Sequence, residues 1–205
     1  SFGMGNMSQI NSIAGNLRAA FGVPELATGV VLAGCSAAVI FGGLKRVAAV
    51  AERVVPLMAL FYLGGALVVV LVHASAVPAA FAAIFRGAFG LAPAGGGVLG
   101  CGVARAVTWG FKRGAFSNEA GLGASVMVHS SSNVTEPVQQ GMWGLFEVFA
   151  DTLVVCTLTA LVILTSGLVD LETGRAAAGV VGSALVGEAF STVFGSFGPK
   201  FIAVS

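Results

Sequence analysis

The sequence predicts an all-α membrane protein, and three observations predict it. Hydrophobic residues make up 57% of the 205-residue chain and charged residues only 9%, with mean hydropathy +0.96; a soluble domain carries about 25% charged residues. Glycine is abundant, at 30 residues, which suits close approach of helices where no hydrophobic force draws them together. Apolar stretches near membrane-spanning length alternate with polar runs. The formal net charge of +1 argues against a nucleic-acid partner. Cys35, Cys101 and Cys156 all fall in apolar segments and are odd in number, so they read as small reduced core residues.

Taken in order, residues 1–20 are polar and glycine-containing and read as the end of a membrane helix. Residues 28–44 carry no charge and reach the lower limit for a span, about 17 residues. Residues 54–72 are a cleaner span, with Pro56 near the start, where a missing N–H costs least. In 77–89, Phe81, Ile84, Phe85 and Phe89 recur at spacings near three and four, the stripe of a short amphipathic interfacial helix. Residues 96–111 form a third, weaker span interrupted by glycines and Arg105, and 112–142 a polar loop. Residues 145–166 form a fourth span, and 176–194 a second interfacial segment with glycine breaks. The start lacks the charged region of a secretory signal, and Ile202-Ala203-Val204-Ser205 opens a new apolar segment. Both ends read as cut, and the chain as a fragment. Lys45, Arg46 and Arg53 crowd one expected loop and Lys112 and Arg113 another, which places 45–53 and 112–142 on the cytoplasmic side.

The run Lys112-Arg113-Gly114-Ala115-Phe116-Ser117-Asn118-Glu119-Ala120-Gly121-Leu122-Gly123 is the most informative stretch. It is polar and glycine-punctuated between apolar segments, and non-helical backbone at membrane depth survives only where protein or a water-filled cavity shields it. It resembles the signature of the alanine or glycine:cation symporter family. Gly5-Asn6-Met7-Ser8-Gln9-Ile10-Asn11-Ser12-Ile13-Ala14, Val39-Ile40-Phe41-Gly42-Gly43-Leu44-Lys45-Arg46, Glu136-Pro137-Val138-Gln139-Gln140-Gly141 and Phe149–Ala160 also resemble family motifs, in family order. The resemblance implies a LeuT-type bundle of two inverted repeats with its substrate at the midplane. Of that bundle this chain would supply the end of helix 3 through the start of helix 8. It also implies a discontinuous helix 6 at 96–111, helix 7 at 145–166, an outer capping loop at 168–197, and main sodium ligands outside this fragment.

The candidate site residues follow from the motifs and the resemblance together. Gln9 and Asn11 either solvate at the interface or bind a zwitterion's polar groups, and the resemblance favours binding for Gln9. In 100–110 the small residues serve helix packing, or the stretch, Gly102 included, is unwound and offers backbone groups to substrate. In the second case Val103 and Val107, one helical turn apart, wall a methyl pocket, Thr108 offers a hydroxyl, and Trp109 is a gate or an interfacial anchor. Arg105 must snorkel, pair or face a wet cavity, with Glu147 or Asp151 as partner. Glu147 and Asp151 are either solvated caps or a paired gate. Thr152, Cys156 and Thr159 repeat at helical spacing, as packing glue or as ion ligands. Arg113, Ser117, Asn118 and Glu119 form the gating signature. His73 and His129 read as structural, and the Asn133-Val134-Thr135 glycosylation pattern as incidental on the cytoplasmic side.

These readings lead to a secondary active transporter of a small neutral amino acid, alanine or glycine, coupled to sodium, needing no cofactor and embedded in cell-membrane lipid. An ion channel needs rings or repeated filters, and an intramembrane enzyme needs paired acid–base groups; neither pattern is in the sequence.

Overall fold

The computed structural model describes residues 4–89, 98–118, 129–130, 132–172, 176 and 182–204, leaving aside the side chains at 4–5, 89, 98–103 and 105–106. The described residues are helical, with no strand beyond one isolated bridge between Val169 and Ala176. The helices are α1 (Met4–Phe21), α2 (Glu25–Ile40), α3 (Gly43–Val72), α4 (Val77–Phe89), α5 (Val98–Ser117) and α6 (Pro137–Val148). A π-helical segment, Phe149–Cys156, carries α6 directly into α7 (Thr157–Thr165), and α8 (Ser183–Phe194) and α9 (Gly198–Val204) follow.

Two helices among the described residues are long and apolar enough to cross a membrane: Gly43–Val72, of 30 residues, and the continuous Pro137–Thr165, of 29. At about 1.5 Å of rise per residue, each exceeds the roughly 30 Å hydrocarbon core. α2 is shorter, at 16 residues. It stops at a turn over Phe41 and Gly42, and Gly43 takes φ +77°, a conformation that costs glycine little because it has no Cβ.

Lys45, Arg46 and Arg53 were expected in a loop but lie on the first turns of α3. Pro56 consequently falls inside that helix, not near its start. A single apolar stretch marks where lipid begins, not where hydrogen bonding begins, so the helix runs on through its charged end. The same holds at 112–142: Lys112–Ser117 close α5, and Pro137 opens α6 at the first-turn position where proline's missing N–H is harmless.

The chain divides into two units, residues 1–74 with 162–205, and residues 75–161. In the first, α8 and α9 pack on each other and on α1, while α3 packs on α8. Its centre is aromatic. Phe201 stacks on Phe61 at 4.3 Å and on Phe190 at 5.3 Å between ring centroids, and Phe194 stacks on Phe201 at 5.6 Å. Phe190, Val69, Ala66 and Ala189 are fully buried. Two glycines permit this approach. A Cβ on Gly65 would lie 2.4 Å from the Phe201 ring, and one on Gly198 would lie 2.4 Å from the Ser191 backbone nitrogen.

In the second unit, α4 packs on α5, and α5 and α6 both pack on the π-helical segment. α4 covers the stripe expected at 77–89, but its buried residue is Ala80, while Phe81 and Phe85 are outward-facing.

Candidate functional site

The C-terminal end of α5 meets the π-helical segment through side chains of three kinds: hydroxyl, amide and carboxylate. Ser117 Oγ donates to Asp151 Oδ2 at 2.5 Å and lies 3.9 Å from Cys156 Sγ. Asn118 Nδ2 donates to Thr152 Oγ1 at 3.1 Å and to the Gly114 carbonyl at 3.0 Å, beside the bond from its own backbone N–H to that carbonyl. The second and third of these satisfy a carbonyl that the helix end would otherwise leave open. Asn118 thus closes α5 and ties it to the next long helix.

Sequence reasoning gave Ser117 and Asn118 a gating role and Thr152, Asp151 and Cys156 separate readings; the structure joins all five in one seam. Both ends of each bond fall in quoted motifs, 112–123 and 149–160, but nothing in one chain says that two motifs pair. Asp151 has the Ser117 hydroxyl as its described partner. It is also the central residue of the helix Pro137–Thr165, because that helix begins well before the apolar stretch at 145.

The irregular helix lies elsewhere than expected. α5 is unbroken from Val98 to Ser117, so its backbone groups from Gly102 onward bond within the helix and no unwound stretch opens there. The irregularity is in Phe149–Cys156. π-helical turns are rare and recur at functional sites. Thr159 Oγ1 donates back to the Val155 carbonyl at 2.7 Å just beyond, a bond that eases departures from regular α-helix.

The other expected site residues are dispersed. Val107 and Asn118 line an open apolar groove of about 650 Å³ with Gly110, Phe111, Gly114, Ala115 and Val148. Thr108 Oγ1 donates to the Ala104 carbonyl at 2.7 Å, so its proton is spent on its own helix. The side chains of Val103 and Arg105, and all of Glu119, lie outside the described residues. Arg113 sits over the Trp109 ring at 5.6 Å and Lys112 over the same ring at 5.4 Å, a cation–π contact. Gln9 is exposed on α1, in the first unit. His73 Nδ1 donates to the Val69 carbonyl at 3.0 Å and helps close α3. His129 lines a polar recess of about 500 Å³ with Ser130, Ser132, Thr135 and Gln140.

Two helices long and apolar enough to cross a membrane, one of them tied to α5 through hydroxyl, amide and carboxylate groups, are the features of an integral membrane protein. The whole chain, residues 1–205, matches the sodium:alanine symporter family, and it belongs to that family. It is 41% identical over 199 residues to an uncharacterized transporter, YflA, of Bacillus subtilis (strain 168), covering 97% of this chain and 41% of that protein. It is 38% identical over 205 residues to the sodium/proton-dependent alanine carrier protein of Bacillus sp. (strain PS3), covering 96% and 45%. It is 41% identical over 168 residues to the sodium/alanine symporter AgcS of Methanococcus maripaludis, covering 82% and 36%. The chain therefore spans under half the length of these relatives.

Proposed function

We propose that the parent protein is a secondary active transporter that carries a small neutral amino acid, alanine or glycine, into the cell with sodium. The observation that carries this reading is the family match along the entire chain, supported by two relatives whose names specify alanine and sodium. Family membership favours a carrier over a channel or an intramembrane enzyme. The fold would be the LeuT-type inverted repeat, with this chain running from the end of helix 3 to the start of helix 8 in a cell membrane, and 112–142 facing the cytoplasm.

Substrate would meet Gln9 through its charged ends, and Gly102, Val103, Val107 and Thr108 around its side chain. Thr108 would then act as an acceptor through its oxygen, since its proton is used at Ala104. The signature residues Arg113, Ser117, Asn118 and Glu119 would form the inner gate. Discrimination between glycine and alanine rests on one methylene, worth about 1–3 kcal/mol, so both are accepted.

The test is uptake of labelled alanine by the full-length parent in proteoliposomes. An inward sodium gradient should drive saturable accumulation that stops when choline replaces sodium. Flux that does not saturate, or alanine that never exceeds its external concentration under any gradient, would overturn the reading.

A further inference from the structure

We propose that the turn between α2 and α3, with the first turns of α3, is a docking surface for anionic phospholipid headgroups, whose phosphates Lys45, Arg46 and Arg53 hold. The proposal goes beyond the transport reading and does not depend on which solute is carried. It rests on the chain being embedded in a membrane.

α3 is longer than the hydrocarbon core requires. Its apolar part, residues 54–72, rises about 28 Å and alone matches the roughly 30 Å core. Residues 43–53 add about 16 Å, whereas the headgroup layer on each side is only about 5–8 Å deep. An upright α3 would therefore push an apolar tip through the headgroups into water. That tip is Ile40, Phe41 and Leu44, exposed by 66%, 91% and 63%. Pro56 stands at the join of the two parts of α3. It cannot donate to the Glu52 carbonyl, so the charged turns can bend there toward the membrane plane.

Two faces run along these turns. Val47, Val50 and Val54, spaced by three and four, form an apolar stripe, and all three are exposed. Arg46 and Arg53, seven apart, share another face with Lys45 beside it, and all three are exposed as well. At 3.6 residues per turn the two faces lie roughly 115° apart. An apolar stripe beside a basic one is the pattern of a helix seated where headgroups meet acyl chains.

Charge decides which lipid fits. Residues 41–55 carry three cations, Lys45, Arg46 and Arg53, against one carboxylate, Glu52, which leaves +2. That surplus suits an anionic headgroup over a zwitterionic one, and guanidinium and ammonium groups bind phosphate oxygens by charge-assisted hydrogen bonds. The Arg46 stem folds over Gly42, where a Cβ would clash with its Cβ, Cγ and Cδ, so apolar methylenes lie on the tip while the charged head reaches outward. Anionic lipid supplies both partners at this depth, acyl chain for the tip and valines and phosphate for the cations.

The experiment uses the full-length parent in phosphatidylcholine liposomes, with bimane on Phe41→Cys and the parent's other cysteines replaced. Brominated phosphatidylglycerol or brominated phosphatidylcholine is included at the same low mole fraction, and quenching of the label is compared. The anionic lipid should quench at least about fivefold more, the gain expected of one basic residue near an anionic surface. Lys45→Gln, Arg46→Gln and Arg53→Gln together should bring the two lipids to parity, and Glu52→Gln should widen the gap. Equal quenching by both lipids before those changes overturns the proposal. Quenching by neither also overturns it, because the tip is then covered by protein or stands in water. So does a preference that survives the triple change, or one abolished by inorganic phosphate but not by chloride at equal ionic strength, which would make this a free-phosphate site. If the triple variant does not reconstitute, Arg53→Gln carries the test: a reduced preference supports the surface and an unchanged one overturns it. Loss of alanine uptake beside an intact lipid preference would defeat the transport reading alone.

Discussion

Phe190 is closed from solvent on every side, with Phe194 and Phe201 stacked against it, whereas the described partner of Asp151 is a hydroxyl, that of Ser117. The two regions fix helices by different physics. In the first unit, contact depends on shape: flat rings, and glycines where rings or backbone press closest. Dispersion summed over many atoms has no alternative arrangement at hand. In the second unit, the described contact between α5 and the π-helical segment is made by directional hydrogen bonds. Ser117 Oγ lies 3.9 Å from Cys156 Sγ besides its bond to Asp151, and Asn118 divides its amide between Thr152 and Gly114. A hydrogen-bonded seam depends on the direction of a few groups, and the aromatic core on the fit of many atoms.

The largest effect should come from breaking the aromatic core. Phe190→Ala removes a fully buried ring, and such truncations cost about 3–5 kcal/mol. The full-length parent should melt well below wild type. Gly65→Ala adds a methyl into the Phe201 ring, an overpacking change worth roughly 1–3 kcal/mol. Gly65→Ala with Phe201→Leu should be milder than the two single losses added, because the smaller side chain makes room for the methyl. Strict additivity would mean that the stack is not where the stability lies.

A smaller effect on stability, with a larger one on transport, should come from the seam. Thr152→Val keeps the volume but removes the acceptor of the Asn118 amide, a loss of about 0.5–1.5 kcal/mol. Melting should barely move, while the rate of alanine uptake by the parent in proteoliposomes falls. A loss of stability equal to that of Phe190→Ala, with uptake unchanged in the folded fraction, would make the seam another piece of core and erase the contrast.

Much of the helical framework was legible because hydropathy and helical period are local properties. The apolar stretch at 54–72 lies inside α3, and the Phe81, Ile84 and Phe85 stripe lies on α4. Helix ends were less legible: charged residues such as Lys45 and Arg53 continue a helix as readily as they leave one, so α3 starts earlier than its apolar part. The site was legible as residues and not as pairs. Ser117, Asn118, Asp151 and Thr152 were each singled out, but their bonds join positions 34 apart. The π-helical turn carries no sequence mark of its own, because an i→i+5 register is chosen by what the segment packs against. The glycines of 100–110 suggested a broken helix, yet α5 continues through them. Glycine permits a break without requiring one, and its cost within a helix, roughly 0.8–1.0 kcal/mol, can be met by packing.

The smallest effect belongs to a contact that looks strong on distance alone. Arg18 and Glu25 form an ion pair at 2.9 Å between the last turn of α1 and the first turn of α2. Each charge also suits its helix end, since cations favour C-termini and anions favour N-termini. Both side chains are more than half exposed, at 67% and 53%, and exposed pairs contribute about 0.2–1 kcal/mol before screening by salt. Glu25→Gln should therefore lower the melting temperature of the parent slightly at low salt, and the difference should vanish as salt rises. Arg18→Gln combined with Glu25→Gln should show a coupling no larger than that range. A loss that persists at high salt, or approaches the effect of Thr152→Val, would mean that the pair is shielded in the full-length protein and that the first unit also relies on directional contacts.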